Sequence, residues 1–342
     1  MTTPVKILYI GASSGTSLDR ASALSRLGHH VTHIDPRKLL PKTVWVERIT
    51  WRIGGQLMGP LLLRALPTRM AQHYDLCFVD SGDWVTPRVI RRLHQFATTV
   101  INYNIDDPLG PRDIARFAAY RMSLPYYDLC VVMRPQNIAE ARALGAKRAM
   151  RVNRCADEVS HAPRELSAED KVCWAADVLF VGTWFPERGP FLLDLVQRGV
   201  PLTIRGANWT KASEWSELKA YWKGGELQAE EYAKAIQCAK VNLGLLSKGN
   251  RDLHTTRSLE IPALGGLLCA ERTVEHSAMY TEGQEALFWG DAEECANACF
   301  QALRQPELSQ RIAAAGLQRI HVNGDFNEKT LQAIIDYALV AD

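Results

Sequence analysis

The sequence predicts an α/β protein of two doubly wound, parallel-sheet domains in tandem, on three observations. Short β-rich apolar runs alternate with helical patterns along the chain, as parallel strands joined by crossover helices require. The opening run VKILYIG has a counterpart in DVLFVG at 177–182, where the same order begins again. The chain has 342 residues, more than one hydrophobic core usually organises.

In the first half the predicted strands cover 5–11, 30–35, 74–80, 98–104, 127–133 and 148–153. SLDRASALSRLG (17–28) reads as the first crossover helix and closes on a glycine suited to a helix C-terminus. The stretch 155–174 is polar with no strong period and is expected to be a linker. Beyond it come the strands DVLFVG, PLTIRG (201–206), KVNLGLL (240–246), LLCAE and ALFW, with helices over FLLDLVQRG, AEEYAKAIQCA and SLEIPALGG between them. NEKTLQAIIDYALV (327–340) forms a last helix, expected to cross back onto the first domain. The domains are therefore set at 1–158 and 175–325, with 326–342 as the returning helix. Ligands of such sheets bind in the crevice outside the carboxyl ends of the strands.

Bulk properties narrow the function classes. Hydrophobic residues make up 47% and charged residues 23%, values of an ordinary globular protein. With 40 basic and 38 acidic side chains the net charge is only +2, so no nucleic-acid partner is expected. The cysteines Cys77, Cys130, Cys155, Cys173, Cys238, Cys269, Cys295 and Cys299 include no C-x-x-C pair, and several sit inside apolar runs. The close pair Cys295 and Cys299 lacks neighbouring histidines, which argues against structural zinc and for a reduced, cytoplasmic compartment. The N-terminal apolar run is too short for a signal-peptide core, and no segment reaches the roughly 20 apolar residues of a spanning helix.

The segment HTTRSLEIPALGG (254–266) carries the sharpest chemistry. Thr255 or Thr256 is expected to cap a short helix by accepting a backbone N–H bond, leaving a helix N-terminus that attracts anions. Arg257 adds a planar fork suited to phosphate. Glu260, one turn on, can accept bonds from two adjacent hydroxyls such as those of a ribose. Gly265 and Gly266 end the helix. The competing reading is a capped surface helix with a solvated Arg and Glu.

Around that segment, DVLFVGTWFPERGPFLLDL, PLTIRGANW, LQAEEYAKAIQCAKVNLGLL, RSLEIPALGGLLCAE and EGQEALFW follow one another in an order that resembles the GT-B glycosyltransferases. In particular it resembles the CgeB/YkvP-like group of spore-protein-type glycosyltransferases, with its R-x-x-E-x-x-A-x-G-G signature. The resemblance spans about residues 175–325; GASSG, the YDL strands and NIDDPLG of the first half fit it more loosely. It implies a GT-B fold, in which two Rossmann-like domains face a cleft, the first on the acceptor side and the second holding a nucleoside-diphosphate sugar. It further implies Glu260 on the ribose hydroxyls and Asp252, eight residues earlier, nearer the transferred sugar. Retaining members carry an Arg and a Lys five apart after the first strand of this domain. Here Thr183 and Arg188 hold those positions, so only the second is basic and a retaining outcome is not implied. Arg188 and Arg257 are left as the diphosphate partners, with Gly182, Gly206 and His254 lining the donor loops.

Other signals are weaker. The Gly11–Gly15 turn after the first strand lacks the G-x-G-x-x-G spacing of a dinucleotide site; the resemblance places Gly11 near the acceptor or the transferred sugar, and a plain strand–helix turn is the alternative. Asp106 and Asp107 follow the strand TTVINYN, where one carboxylate can act as general base for an acceptor hydroxyl, although Asp-Pro also favours a turn. Trp209 is a candidate to stack on the nucleotide base or to sit in the core. The nine histidines form no H-E-x-x-H pattern, and no metal site is expected. Residues 44–70 interleave Trp, Leu and Met with Arg48, Arg52, Arg64 and Arg69. They are read either as peripheral contact with the inner face of a membrane or as helical packing interrupted by Gly54 and Gly55.

The expected activity is sugar transfer from a nucleoside-diphosphate sugar to an unidentified acceptor (a glycan, protein, lipid-linked or small molecule), with neither metal nor separate cofactor. The alternative is a non-catalytic nucleotide or sugar-nucleotide binding protein on the same scaffold. A nicotinamide-dependent oxidoreductase is disfavoured by the missing glycine fingerprint.

Overall fold

A computed structural model describes residues 3–39, 50, 54–66 and 72–340. The chain divides into two compact units, the first of Met1–Asn153 with Asn327–Asp342, the second of Arg154–Phe326.

The first unit is a six-stranded parallel sheet in the order β2-β1-β3-β4-β5-β6. Its strands are β1 (Lys6–Ile10), β2 (His30–Ile34), β3 (Tyr74–Asp80), β4 (Ala97–Tyr103), β5 (Leu129–Val132) and β6 (Ala149–Arg151). Near-continuous apolar runs are what a parallel sheet covered on both faces demands, and side-chain alternation divides them. Leu8, Ile10, Cys77 and Val79 enter the core on one face. Ile7, Tyr9, Leu76 and Phe78 enter the other, together with Leu331, Ile334 and Ile335 of the C-terminal helix Asn327–Leu339. That helix returns to the first unit as expected, and Glu328 pairs with Arg26 of the first crossover helix at 2.6 Å. The Gly15–Arg26 helix ends just before Gly28, whose φ of +87° explains the glycine.

The second unit is a five-stranded parallel sheet, β11-β10-β9-β7-β8. Its strands are β7 (Ala176–Val181), β8 (Leu202–Arg205), β9 (Ala239–Gly244), β10 (Leu268–Glu271) and β11 (Leu287–Trp289). The two longest helices of this unit among the described residues, Ala292–Arg304 and Pro306–Asn323, lie outside the predicted set. The first is capped by Asp291, whose carboxylate accepts the Glu294 N–H at 2.9 Å.

The linker expected over 155–174 is corrected. Ala156 and Asp157 are buried, and the Asp157 carboxylate accepts the N–H groups of Val159 and Ser160 at 3.0 and 2.9 Å. Ser167 and Asp170 then form a reciprocal capping box on the helix Ala168–Cys173. Such polar, side-chain-to-backbone structure has no hydrophobic period to betray it. Of residues 44–70, 44–49, 51–53 and 67–70 lie outside the described residues, with Arg48, Arg52 and Arg69 among them. Among the described residues a 3₁₀ turn over Gly55–Met58 leads into the helix Gly59–Ala65. No helix among the described residues is long and apolar enough to cross a membrane.

Candidate functional site

In the second unit β7 is followed by β8 on one side and β9 on the other, so strand order reverses between β7 and β9. Ligands of open parallel sheets collect at such a reversal, outside the carboxyl ends of the strands. Arg188 occupies it. This first residue of the Arg188–Gln197 helix is buried and donates Nη1 to Thr183 O at 2.8 Å. Its Nη2 donates to Leu245 O and Leu246 O, just past β9, at 3.1 and 3.3 Å. Phe185 and Phe180 lie 4.6 and 5.5 Å from the guanidinium carbon.

Glycines let the turns after β7 and β8 touch. A Cβ on Gly206 would lie 2.0 Å from Gly182 O, and the φ of Gly206 is +138°. Trp209 closes this contact by donating its indole N–H to Gly182 O at 3.0 Å. Its side chain is 1% exposed and packs edge-on against Phe180. Of the two places the sequence left open for Trp209, the ring takes the core position and holds a loop.

Arg257 reaches the same turn. Its Nε donates to Val181 O, the end of β7, at 3.2 Å, and its guanidinium lies 4.7 Å from the Tyr232 ring. Nη1 pairs with Glu260 Oε2 at 2.5 Å. Glu260 is 1% exposed; Tyr232 donates its hydroxyl to the same oxygen at 3.0 Å, and His161 Nε2 stands 3.6 Å from Oε1. Burial would raise the Glu260 pKa, but Arg257, His161 and the Tyr232 hydroxyl outweigh it and hold the carboxyl below its ordinary value. Burial pushes the Tyr232 hydroxyl well up, so it remains a donor. Arg257 and Glu260, read from the sequence as separate phosphate and ribose groups, are thus partners of one another.

Asp252 is also committed. It is buried and accepts Arg154 Nη2 at 2.8 Å. Arg154 further donates Nη1 to His254 O at 2.6 Å and its backbone N–H to His254 Nε2 at 3.1 Å. His254 Nδ1 meets Glu275 Oε2 at 2.5 Å. Burial and the Arg154 charge lower the His254 pKa against the pull of Glu275. Both ring nitrogens are occupied, so His254 braces the loop from within. Asp252 thus neutralises Arg154.

The threonine caps are corrected as well. Thr256 has helical angles, and its side chain makes no cap bond. The Thr255 N–H donates instead to Ser258 Oγ at 3.0 Å, and that hydroxyl meets His276 Nε2 at 2.7 Å. Gly265 does close the helix in the left-handed region, with φ +76°. Arg154, His161, Tyr232 and Glu275 escaped the sequence reading because no local motif marks them. Arg154 and Asp252 are 98 residues apart in sequence.

In the first unit the reversal falls between β1 and β3. A pocket there is lined by Gly11, Asp35, Arg37, Asp80, Asp83 and Trp84 among others. Gly11 has no room for a side chain, since a Cβ would stand 2.6 Å from Ser17 Oγ and 2.7 Å from Tyr9 Cε1. Asp80 is buried and takes Arg20 Nε and Nη2 at 2.9 and 2.8 Å, with the Tyr9 hydroxyl donating to the same oxygen. Asp106 pairs with Arg116 at 3.1 Å and is 33% exposed, whereas Asp107 is buried and accepts Asn137 Nδ2 at 3.0 Å. The two neighbours, in the bend beyond β4, face different surroundings.

The family described as glycosyl transferase-like matches residues 188–336. No curated protein matches the chain in sequence. Among solved structures the chain is similar to sucrose-phosphate synthase from Thermosynechococcus elongatus, at 17% identity, covering 97% of this chain and 98% of that one, with a TM-score of 0.69. It is similar to Anabaena HepE in complex with UDP-glucose, at 13% identity, 97% and 99% coverage and TM-score 0.65. It is also similar to the UDP-forming α,α-trehalose-phosphate synthase from Burkholderia vietnamiensis, at 11% identity, 99% and 100% coverage and TM-score 0.63. Residues 188–336 thus match a glycosyl transferase-like family, and the two parallel-sheet units share the fold of these GT-B glycosyltransferase structures.

Proposed function

We propose that the enzyme transfers a sugar from a nucleoside-diphosphate sugar to an acceptor hydroxyl, and that the second unit binds the donor. One observation carries the reading: two arginines from different helices converge on the turn after β7, Arg188 through Thr183 O and Arg257 through Val181 O. A diphosphate seated at this strand reversal would meet both. Preorganised positive charge of this kind stabilises a leaving diphosphate without a metal, and metal independence is part of the proposal. Asp252 and Glu260 act through Arg154 and Arg257, setting the shape and charge of the loops. The 33% exposed Asp106 is the better placed of its pair to meet an acceptor hydroxyl. Anabaena HepE was solved with UDP-glucose, which supports a uridine nucleotide as the first donor to try. The order of landmarks over about 175–325 supports placement in the CgeB/YkvP-like group. Exposed Leu57 and Leu61 support an apolar surface contact by the 44–70 region.

Calorimetric titration with UDP, GDP and dTDP tests the donor site. UDP is expected to bind. Arg188→Ala and Arg257→Ala should each weaken it by roughly 10–100-fold, since a hydrogen bond to a charged group contributes about 1.5–3 kcal/mol. Absence of binding by all three nucleotides, or unchanged affinity in both variants, would remove the assignment.

A further inference from the structure

The donor site leaves unused a cluster of three thiols inside the second unit. Cys269 on β10 faces the Ala292–Arg304 helix, where Cys295 and Cys299, one turn apart, share a face. The three sulfur atoms lie within 4.8 Å of one another, and all three residues are 0% exposed. The sequence offered only the Cys295–Cys299 pair; the fold supplies the third sulfur from a strand. Their surroundings are apolar, with Val178, Leu243, Trp289 and Ile312 in the same core.

We propose that Cys269, Cys295 and Cys299 form a three-sulfur site for a soft, closed-shell monovalent cation of the Cu(I) or Ag(I) type, tying β10 to the Ala292–Arg304 helix. Donor softness selects the ion, because sulfur ligands favour Cu(I), zinc and iron–sulfur clusters over hard cations. Donor number then separates these choices. Structural zinc takes four ligands, whereas the cluster among the described residues has three. Metal–sulfur bonds of about 2.3 Å put the sulfurs of a trigonal site roughly 4 Å apart, so the observed spread needs only small side-chain movements to close.

Charge balance points the same way. An uncompensated charge in an apolar core is costly. One monovalent ion can enter as one thiol proton leaves. The ion is then held by one thiolate and two neutral thiols; the net charge of the core is unchanged and no electron is transferred. A divalent ion would have to displace two protons to reach the same neutrality.

The test uses the full chain, reduced and under oxygen-free conditions, carrying Cys173→Ser and Cys238→Ser to remove the two cysteines that are not fully buried. Cu(I) is titrated against a coloured competing chelator. The expected result is one ion retained per chain, a near-ultraviolet sulfur-to-metal absorption band and three sulfur neighbours by X-ray absorption. Cys295→Ser and Cys299→Ser, which keep side-chain volume but remove the soft donor, should each weaken retention by at least the order of 10–100-fold that loss of an outer-shell partner costs. Circular dichroism checks that each variant is folded. Should Cys299→Ser not fold, Cys269→Ala on the strand side gives the same readout. Failure to hold Cu(I) against the chelator, or retention undiminished by these substitutions, would overturn the site and leave the thiols as small apolar packing groups.

Discussion

Replacing Glu260 with Gln keeps the side chain's size and its bond from Tyr232 but removes the charge that faces Arg257. Losing one partner of a buried ion pair costs about 3–5 kcal/mol when the other charge is left without water. Here the Arg257 side chain is 32% exposed, so solvent meets part of its charge and the expected cost falls to about 2 kcal/mol. For a domain of this size that is a drop of roughly 4–8 °C in the unfolding midpoint of the second unit. The sign with pH follows from the direction of the Glu260 shift. A carboxyl held below its ordinary value contributes stability that is fully present above the unfolded value of about 4.3 and is lost as pH falls through the lower folded value. Scanning calorimetry of both proteins should therefore show a constant gap near neutrality that narrows on acidification below about pH 4.3. An absent gap at neutral pH, or one equally large in strong acid, would refute this account of the pair.

Four further outcomes are expected. Gly206→Ala should abolish UDP binding and lower stability by several kcal/mol, since its Cβ meets Gly182 O at 2.0 Å and φ is +138°; a Kd and Tm equal to those of the parent would contradict the packed turn. Trp209→Phe should cost about 1 kcal/mol for the lost bond to Gly182 O yet leave the ranking of UDP, GDP and dTDP unchanged, and a changed ranking would restore base stacking. Asp252→Asn should destabilise the second unit by about 3–5 kcal/mol, because both side chains of the pair with Arg154 are buried; chemical denaturation reads the effect, and a neutral result would mean that Arg154 has another sufficient partner. Tyr9→Phe in the first unit should cost about 1–2 kcal/mol through the bond lost to buried Asp80, with no change in UDP affinity by calorimetry.

Much of the fold was legible because its signals are local. VKILYIG and DVLFVG announce strands buried on both faces, and Gly28 and Gly265 sit where the chain must turn left-handed, with φ of +87° and +76°. The C-terminal helix declared an apolar face, although only packing shows that Leu331, Ile334 and Ile335 share one core with Ile7, Tyr9 and Phe78. The segment 155–174 was misread because the Asp157 turn and the Ser167 box rest on polar bonds that leave no period.

The candidate site divides along the same line. By itself the sequence determined which residue types are present near the strand ends, including Arg188, Arg257, Glu260 and the glycines that permit close turns. Only the tertiary structure decided what each one touches. It joined Arg257 to Glu260, Arg154 to Asp252, Trp209 to Gly182 and Cys269 to the helical thiols. The physical reason is that a charge, an indole N–H or a thiol has several acceptable partners. Which partner it takes depends on the burial and distance that chain crossing creates, and neither quantity is encoded in a short stretch of residues.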